Sequence, residues 1–132
     1  MTRRRWSLVL LLAWVWGSVP AAADISTQLY ATQNKPATTD VAVTDSVIWT
    51  PAAGYRIVLQ GCVLSSDAAN KIELESSNTD VIPPQHFESY GSLVIQGGGT
   101  AIWTGTADAT LAWTTTTNAT ASIVCWGFEV LP

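Results

Sequence analysis

Two cysteines and one histidine are the side chains of this sequence that most readily support covalent or metal chemistry. Cys62 and Cys125 are the only cysteines, and His86 is the only histidine. In an oxidising compartment an even pair of cysteines most simply forms one disulfide, and two buried free thiols are the alternative. Two cysteines and a distant histidine do not supply the four ligands of a structural zinc site. The sequence therefore predicts a Cys62–Cys125 disulfide, no metal and no other cofactor.

The residues around His86 do not form a recognisable catalytic pattern. A Ser-His-Asp mechanism needs the histidine beside a nucleophile and an acid, and the chain has no G-x-S-x-G turn. Glu73 and Glu75 could form the carboxylate pair of a glycoside hydrolase, but the alternation of residues 71–76 places both on the solvent face of a strand. We therefore expect a protein that is not an enzyme. A small hydrolase that uses residues 80–88 is the third-ranked alternative.

Several aromatic side chains could bind a ligand by stacking. An exposed ring can lie against a sugar, and the candidates for this role are Trp103, Trp113, Tyr90 and Trp49. Trp103 and Trp113 flank a segment that we predict to be a hairpin, which would place both rings on one face. The favoured alternative is that they fill the core of a β-sandwich about 10 Å thick. Trp126 alternates with apolar neighbours and is expected in the core.

The first 23 residues have the pattern of a cleavable secretory signal peptide. Three consecutive arginines precede an apolar stretch from Trp6 to Val19, and three alanines end the segment at 21–23. The apolar stretch is about 14 residues, shorter than the roughly 20 that a spanning helix needs, so a retained anchor is the less favoured alternative. The pattern predicts a secreted, extracellular or periplasmic protein without a stable membrane anchor after cleavage.

Removal of residues 1–23 would change the charge of the protein. Lys35, Arg56 and Lys71 would remain beside ten acidic residues, a net charge of about −7. The remaining chain of about 109 residues suits a single domain. Three scattered cations provide no basic surface for nucleic acid.

One tripeptide matches the acceptor sequence for N-glycosylation. Asn118 is followed by alanine and threonine, which is the N-x-T pattern. Such triplets arise easily by chance, so Asn118 is a candidate site only if the host glycosylates exported proteins.

The elements that must position these residues are predicted to be strands. Short runs of β-branched and aromatic residues, separated by turn residues, give about eight strands at roughly ten-residue spacing. This pattern is typical of a single antiparallel β-sandwich, most simply a jelly roll. We predict an N-terminal lead-in segment at 24–39, with a loop at 31–39, and a β-sandwich domain at 40–132. Residues 77–89 are the least regular, because Pro83 and Pro84 exclude a central strand.

Residues 55–65 form the strongest predicted strand. Strict alternation places Ile57, Leu59 and Gly61 on one face and Val58 and Cys62 on the other. Both faces are largely apolar, which predicts a central strand.

One part of the sequence resembles a known class of proteins. The run V-I-W-T-P-A-A-G-Y-R-I-V-L at 47–59 resembles the opening of small β-sandwich proteins of phage and environmental viral particles. The turn at 65–70 and the run W-T-G-T-A-D-A-T-L at 103–111 resemble later parts of them, so the resemblance spans roughly 41–130. It implies a jelly-roll module that assembles, often as a trimer, on a particle or fibre surface. It carries over no functional residue, and the signal peptide and cysteine pair depart from the pattern.

The leading hypothesis is an exported, non-enzymatic structural or adhesion module that self-assembles on a cell or particle surface. Its expected partners are further copies of itself, as a homo-oligomer that includes a trimer among the options, and a glycan or cell-surface ligand. One alternative is a carbohydrate-binding module that uses the exposed aromatic candidates. The other alternative is a virion-associated surface or fibre protein.

Overall fold

The computed structural model describes residues 32–132, which form two antiparallel sheets. The strands are β1 (Gln33–Thr39), β2 (Val43–Trp49), β3 (Arg56–Ser66), β4 (Asn70–Ser76), β5 (Thr79–Phe87), β6 (Gly91–Gln96), β7 (Trp103–Thr104), β8 (Leu111–Thr115) and β9 (Ala121–Val130). Within this part of the chain no helix is long and apolar enough to cross a membrane. The predicted signal peptide at 1–23 and the start of the predicted lead-in segment lie outside the described residues.

The strand pairing is that of a jelly roll. Sheet A has the order β1-β9-β3-β6, with β7 also paired to β3, and sheet B has the order β2-β8-β4-β5. In the order of the chain, the pairs β1/β9, β2/β8, β3/β6 and β4/β5 are nested one inside the next. This is the pairing of a long hairpin wound into two layers. The prediction of a single antiparallel β-sandwich of jelly-roll type is confirmed. Residues 32–132 contain nine strands, against about eight predicted, and β7 is only two residues long.

The two sheets enclose an apolar core that contains the disulfide. The fully buried core side chains include Trp49, Ile57, Leu59, Leu64, Ile72, Leu74, Leu111, Trp113 and Ile123. Cys62 and Cys125 are also fully buried. They face each other across β3 and β9 with their Cα atoms 4.1 Å apart and are disulfide-bonded, as predicted.

A bulge in β3 changes which of its residues face the core. Leu59 and Gly61 pair with consecutive residues of β9, so Gln60 is an extra residue in the ladder. As a result Leu59 and Cys62 both face the core, and both are fully buried. The strict alternation predicted from the sequence, which placed them on opposite faces, is wrong beyond Leu59 for this reason.

Two segments that were predicted to be irregular are edge strands. Residues 33–39 pair with β9 as β1, so the sandwich begins before the predicted boundary at residue 40. The segment containing Pro83 and Pro84 is β5, at the edge of sheet B. An edge strand needs ladder hydrogen bonds on one side only, so it accepts Pro36 in β1. The two adjacent prolines of β5 also coincide with a register shift against β4, between Ile82 and Gln85.

The hairpin predicted between Trp103 and Trp113 is not formed. β7 pairs with β3 in sheet A, whereas β8 pairs with β2 and β4 in sheet B. The chain therefore crosses between the sheets at 105–110. This crossing is fixed by two backbone hydrogen bonds, from Gly105 N–H to the carbonyl of Ile57 (2.9 Å) and from Asp108 N–H to that of Tyr55 (2.8 Å).

Candidate functional site

An open cleft at one end of the sandwich combines an indole ring with hydroxyl groups. It has a volume of about 230 Å³ and lies between the β4–β5 turn and the β7–β8 connection. Its polar and aromatic lining consists of Ser76, Ser77, Thr79, Trp103, Thr104 and Thr106. Of the four aromatic candidates from the sequence, Trp103 is the one that lines this cleft.

Local backbone geometry fixes both walls of the cleft. Trp103 pairs with Leu59 and packs against the core, and its ring lies over Gly105, where an added Cβ would be 2.6 Å from the ring. On the other wall, Ser77 and Asn78 alone connect β4 to β5, with φ angles of 51° and 60°. Two positive φ values in a two-residue loop are typical of the tight turns that match strand twist. Both walls are therefore preformed.

Ser76 differs from the other buried polar side chains. The buried polar residues are Ser66, Asn70, Ser76, Thr114 and Thr115. Four of them use their side-chain oxygens in hydrogen bonds with other protein groups. Ser76 is only 7% exposed, and its hydroxyl has no hydrogen bond to any protein group among residues 32–132. Because Ser76 lines the cleft, this hydroxyl is available to a molecule bound there.

The other aromatic candidates lie elsewhere. Trp49 and Trp113 are each 1% exposed, so they belong to the core and offer no ring face to a sugar. Tyr90 is 82% exposed and lies in the connection between β5 and β6, outside the cleft. The prediction that Trp126 lies in the core is wrong, because it is half-buried on the outer face of sheet A. Its ring covers Gly61, where an added Cβ would overlap the ring.

Trp49 belongs to a polar cluster that joins three strands. The indole Nε1–H of Trp49 donates to Oε1 of Glu129, and the N–H of Ala52 donates to Oε2, both at 2.8 Å. The Nζ of Lys35 lies 5.3 Å from the centre of the Trp49 ring. Burial raises the pKa of Glu129 and is the largest single influence. The hydrogen bonds from Ala52, Trp49 and Gln33, together with Lys35, outweigh it and hold this pKa below 4.5.

An acidic group lies on the outer face of sheet B. Thr114 donates its hydroxyl to Glu75 at 2.8 Å and accepts the N–H of Asp45 at 3.0 Å. The hydrogen bond from Thr114 is the largest influence on the pKa of Glu75 and lowers it. Burial, a hydrogen bond with Asp45, and repulsion from Asp45 and Glu73 together outweigh that bond and raise the pKa above 4.5. No group of three ligating side chains within residues 32–132 could hold a metal ion.

His86 and Asn118 are both at the surface. His86 lies on the edge strand β5, opposite Lys71 of β4. Asn118 lies in the connection between β8 and β9, and its Oδ1 accepts the N–H of Ala42 at 2.9 Å. Asn118 and Thr120 of the predicted glycosylation triplet are exposed, whereas Ala119 between them is buried. The asparagine also holds the chain before β2 through its bond to Ala42.

The outer face of sheet A is apolar beside its free edge. Val94 in β6 pairs with Val63 of β3, which pairs in turn with Val124 of β9. Val94 is 56% exposed and Val124 is 37% exposed. This row of three valines, the valine row, ends at the free edge of β6, so one apolar surface reaches the side of the sheet.

Comparison with known proteins assigns no family, because no protein-family model matches the chain and no curated protein matches it significantly.

Proposed function

We propose that the protein is an exported, non-enzymatic structural or adhesion module that self-assembles by pairing β6 with β6 of a second copy. The observation that carries the proposal is the free edge of β6, which lacks the features that protect the other long edges. An unprotected edge presents unpaired N–H and C=O groups that a further strand can complete. The same strand of a second copy, antiparallel about a two-fold axis, completes it symmetrically.

The other long edge strands of residues 32–132 each carry a feature that discourages pairing. Pro36 removes a backbone donor from β1, and Pro83 and Pro84 do the same in β5. β2 has two register breaks, and its Asp45 has a φ of 51°. β6 pairs with β3 without a register break and contains neither a proline nor a charged residue.

The backbone of β6 leaves its central residue unpaired at the edge. The N–H of Gly97, the residue after β6, donates to the carbonyl of Gln60 at 3.2 Å and so points toward β3. Backbone groups of successive residues in an antiparallel strand point alternately to the two sides. Counting back from Gly97, the N–H and C=O of Val94 point away from β3. Val94 therefore offers both a donor and an acceptor to an added strand.

Side chains beside this edge favour the same contact. The valine row would continue from one copy to the next when two β6 strands pair. The chain as a whole is acidic, with a formal net charge of −4, so an uncharged strand is the edge at which two copies meet with the least charge repulsion.

The proposal of export has support from two parts of the chain. Residues 1–23 have the sequence pattern of a signal peptide. The Cys62–Cys125 disulfide is compatible with an oxidising compartment. The proposal places the assembled protein at a cell or particle surface.

Sedimentation velocity over a range of protein concentrations tests the assembly. We expect a dimer that Val94→Lys converts to a monomer, because an edge lysine opposes strand pairing. Val47→Lys is the matched control, since Val47 is also 56% exposed but lies in the edge strand β2. It should leave the dimer intact.

Three results would contradict this proposal. The unmodified protein could remain a monomer at every concentration, or both lysine variants could dissociate equally. A trimer that persists in Val94→Lys would show that assembly uses another surface.

A further inference from the structure

We infer that the cleft beside Trp103 binds a single neutral sugar ring, as a monosaccharide or as the end of a glycan. This inference rests on different residues from those that carry the proposed self-assembly. Trp103 lies on the inner face of sheet A beside the crossing between the sheets, whereas the β6 edge and its valine row lie on the outer face.

The lining of the cleft matches the two kinds of surface that a sugar presents. A pyranose has an apolar face of C–H groups, which can pack against an indole ring. Its rim carries hydroxyl groups, each of which donates and accepts hydrogen bonds. The serine and threonine hydroxyls of the cleft also donate and accept. None of the five takes part in a side-chain hydrogen bond with a protein group of residues 32–132.

Ser76 provides the most specific part of this argument. A buried polar group without a partner costs free energy, so native proteins nearly always satisfy such groups. The side-chain oxygens of the other four buried polar residues are hydrogen-bonded to protein groups, although the amide nitrogen of Asn70 is buried without a partner. The Ser76 hydroxyl has no protein partner within residues 32–132, and Ser76 lines the open cleft. A ligand hydroxyl in the cleft would supply the missing partner.

The size and charge of the cleft restrict the ligand. A volume of about 230 Å³ is below the usual range for drug-sized ligands, roughly 300–1,000 Å³, and fits one sugar ring rather than several. No residue that lines the cleft is ionisable, so nothing there would pair with a carboxylate or phosphate. The ligand class is therefore a neutral sugar rather than an acidic one.

The walls of the cleft are ordered before binding. The Trp103 ring is supported from below by Gly105, and the opposite wall is a two-residue turn with both residues at positive φ. Preformed walls reduce the ordering cost that usually weakens the binding of small ligands.

Saturation-transfer NMR on the exported, oxidised protein tests the inference. The probes are glucose, galactose, mannose, N-acetylglucosamine and N-acetylgalactosamine, with glucuronic acid and N-acetylneuraminic acid as acidic probes. We expect saturation of ring C–H protons for at least one neutral sugar and at least tenfold weaker binding of the acidic ones. Trp103→Ala should weaken binding at least tenfold.

Two further variants separate loss of binding from loss of folding. Trp103 packs against the core, so its replacement by alanine could unfold the protein. Ser76→Ala removes only one hydroxyl and should keep the fold, and we expect it to weaken binding about three- to tenfold. Trp126→Ala, which removes an indole from the outer face of sheet A, is the matched control and should leave binding unchanged.

Several outcomes would overturn the inference. These are the absence of binding by every neutral probe, binding that survives in both Trp103→Ala and folded Ser76→Ala, and loss of binding in Trp126→Ala. Equal binding of acidic and neutral sugars would overturn the assignment of ligand class. A protein that remains monomeric but binds a neutral sugar in the cleft would refute the proposed self-assembly and support this inference.

Discussion

Loss of the Cys62–Cys125 disulfide should destabilise the protein strongly. The bond joins positions separated by 63 residues, so it closes a loop that contains β4 through β8. For a loop of about this length, the chain-entropy relation gives about 14 cal/mol/K, or about 4 kcal/mol at 25 °C. Single domains are typically stable by roughly 5–15 kcal/mol. The disulfide could therefore account for a large share of the free energy of unfolding.

Urea denaturation with and without a reductant measures this effect without removing any atom from the core. We expect the reduced protein to unfold at a lower urea concentration, with a free energy of unfolding lower by about 4 kcal/mol. Its m-value should rise, because the reduced denatured chain exposes more surface. Cys62→Ala/Cys125→Ala should be at least as unstable as the reduced protein. Adding reductant to this double variant should change nothing.

Two results would refute the reasoning. The free energy of unfolding could be unchanged on full reduction, as verified by mass spectrometry, which would show that the unfolded chain is not constrained as argued. It could also fall with an unchanged m-value. That result would place the effect in the folded state rather than in the entropy of the unfolded chain.

Two carboxylates should give opposite dependences of stability on pH. The pKa of Glu129 is lowered, so its ionised form stabilises the fold above pH 4.5, the ordinary pKa, and this contribution is lost as the pH falls below that value. Glu129→Gln should therefore lower the free energy of unfolding, measured by urea denaturation, by about 1–2 kcal/mol at pH 7 and by little at pH 3. An equal cost at both pH values would contradict the role of the charge. The pKa of Glu75 is raised, so its stabilising contribution is present at low pH and is lost as the pH rises through a value above 4.5. Glu75→Gln should raise the free energy of unfolding at pH 7 by a few tenths of a kcal/mol, because it removes repulsion from Asp45. Glu73→Gln, which loses a 3.0 Å ion pair with Lys71, is the matched control and should be neutral or slightly destabilising. If Glu73→Gln were more stable than Glu75→Gln at pH 7, the proposed repulsion would be contradicted.

The fold class and the disulfide could be predicted from the sequence because both depend on local or countable features. Turn residues at regular spacing predict a sandwich, and an even pair of cysteines that follows a signal-peptide pattern predicts a bond. The outward position of Trp126 could also have been predicted from the sequence. Neighbouring residues of a strand face opposite sides, so an inward Cys125 places Trp126 outward. The apolar character of its neighbours hid this relation.

The candidate cleft could not be predicted, because its walls come from distant parts of the chain. Ser76 and Trp103 belong to different sheets, and they line one cleft only because of how those sheets pack. The strand β1 was missed for another reason. Its sequence is polar, and its pairing with β9 uses backbone groups that carry no sequence signal. Trp103 was named as a candidate, but on the basis of a hairpin that does not form.

The bulge at Gln60 adds one residue to β3 that has no partner residue in β9. When Gln60 is left out of the count, inward and outward side chains alternate along the whole of β3, because Leu59 and Gly61 pair with consecutive residues of β9. The fold thus absorbs a single-residue insertion without passing the shift on to Cys62. Gln60 still takes part in backbone hydrogen bonding, because its carbonyl accepts the N–H of Gly97. The carbonyl of the neighbouring Leu59 accepts the N–H of Ile102. The inserted residue marks the point at which β3 exchanges one neighbour, β7, for another, β6.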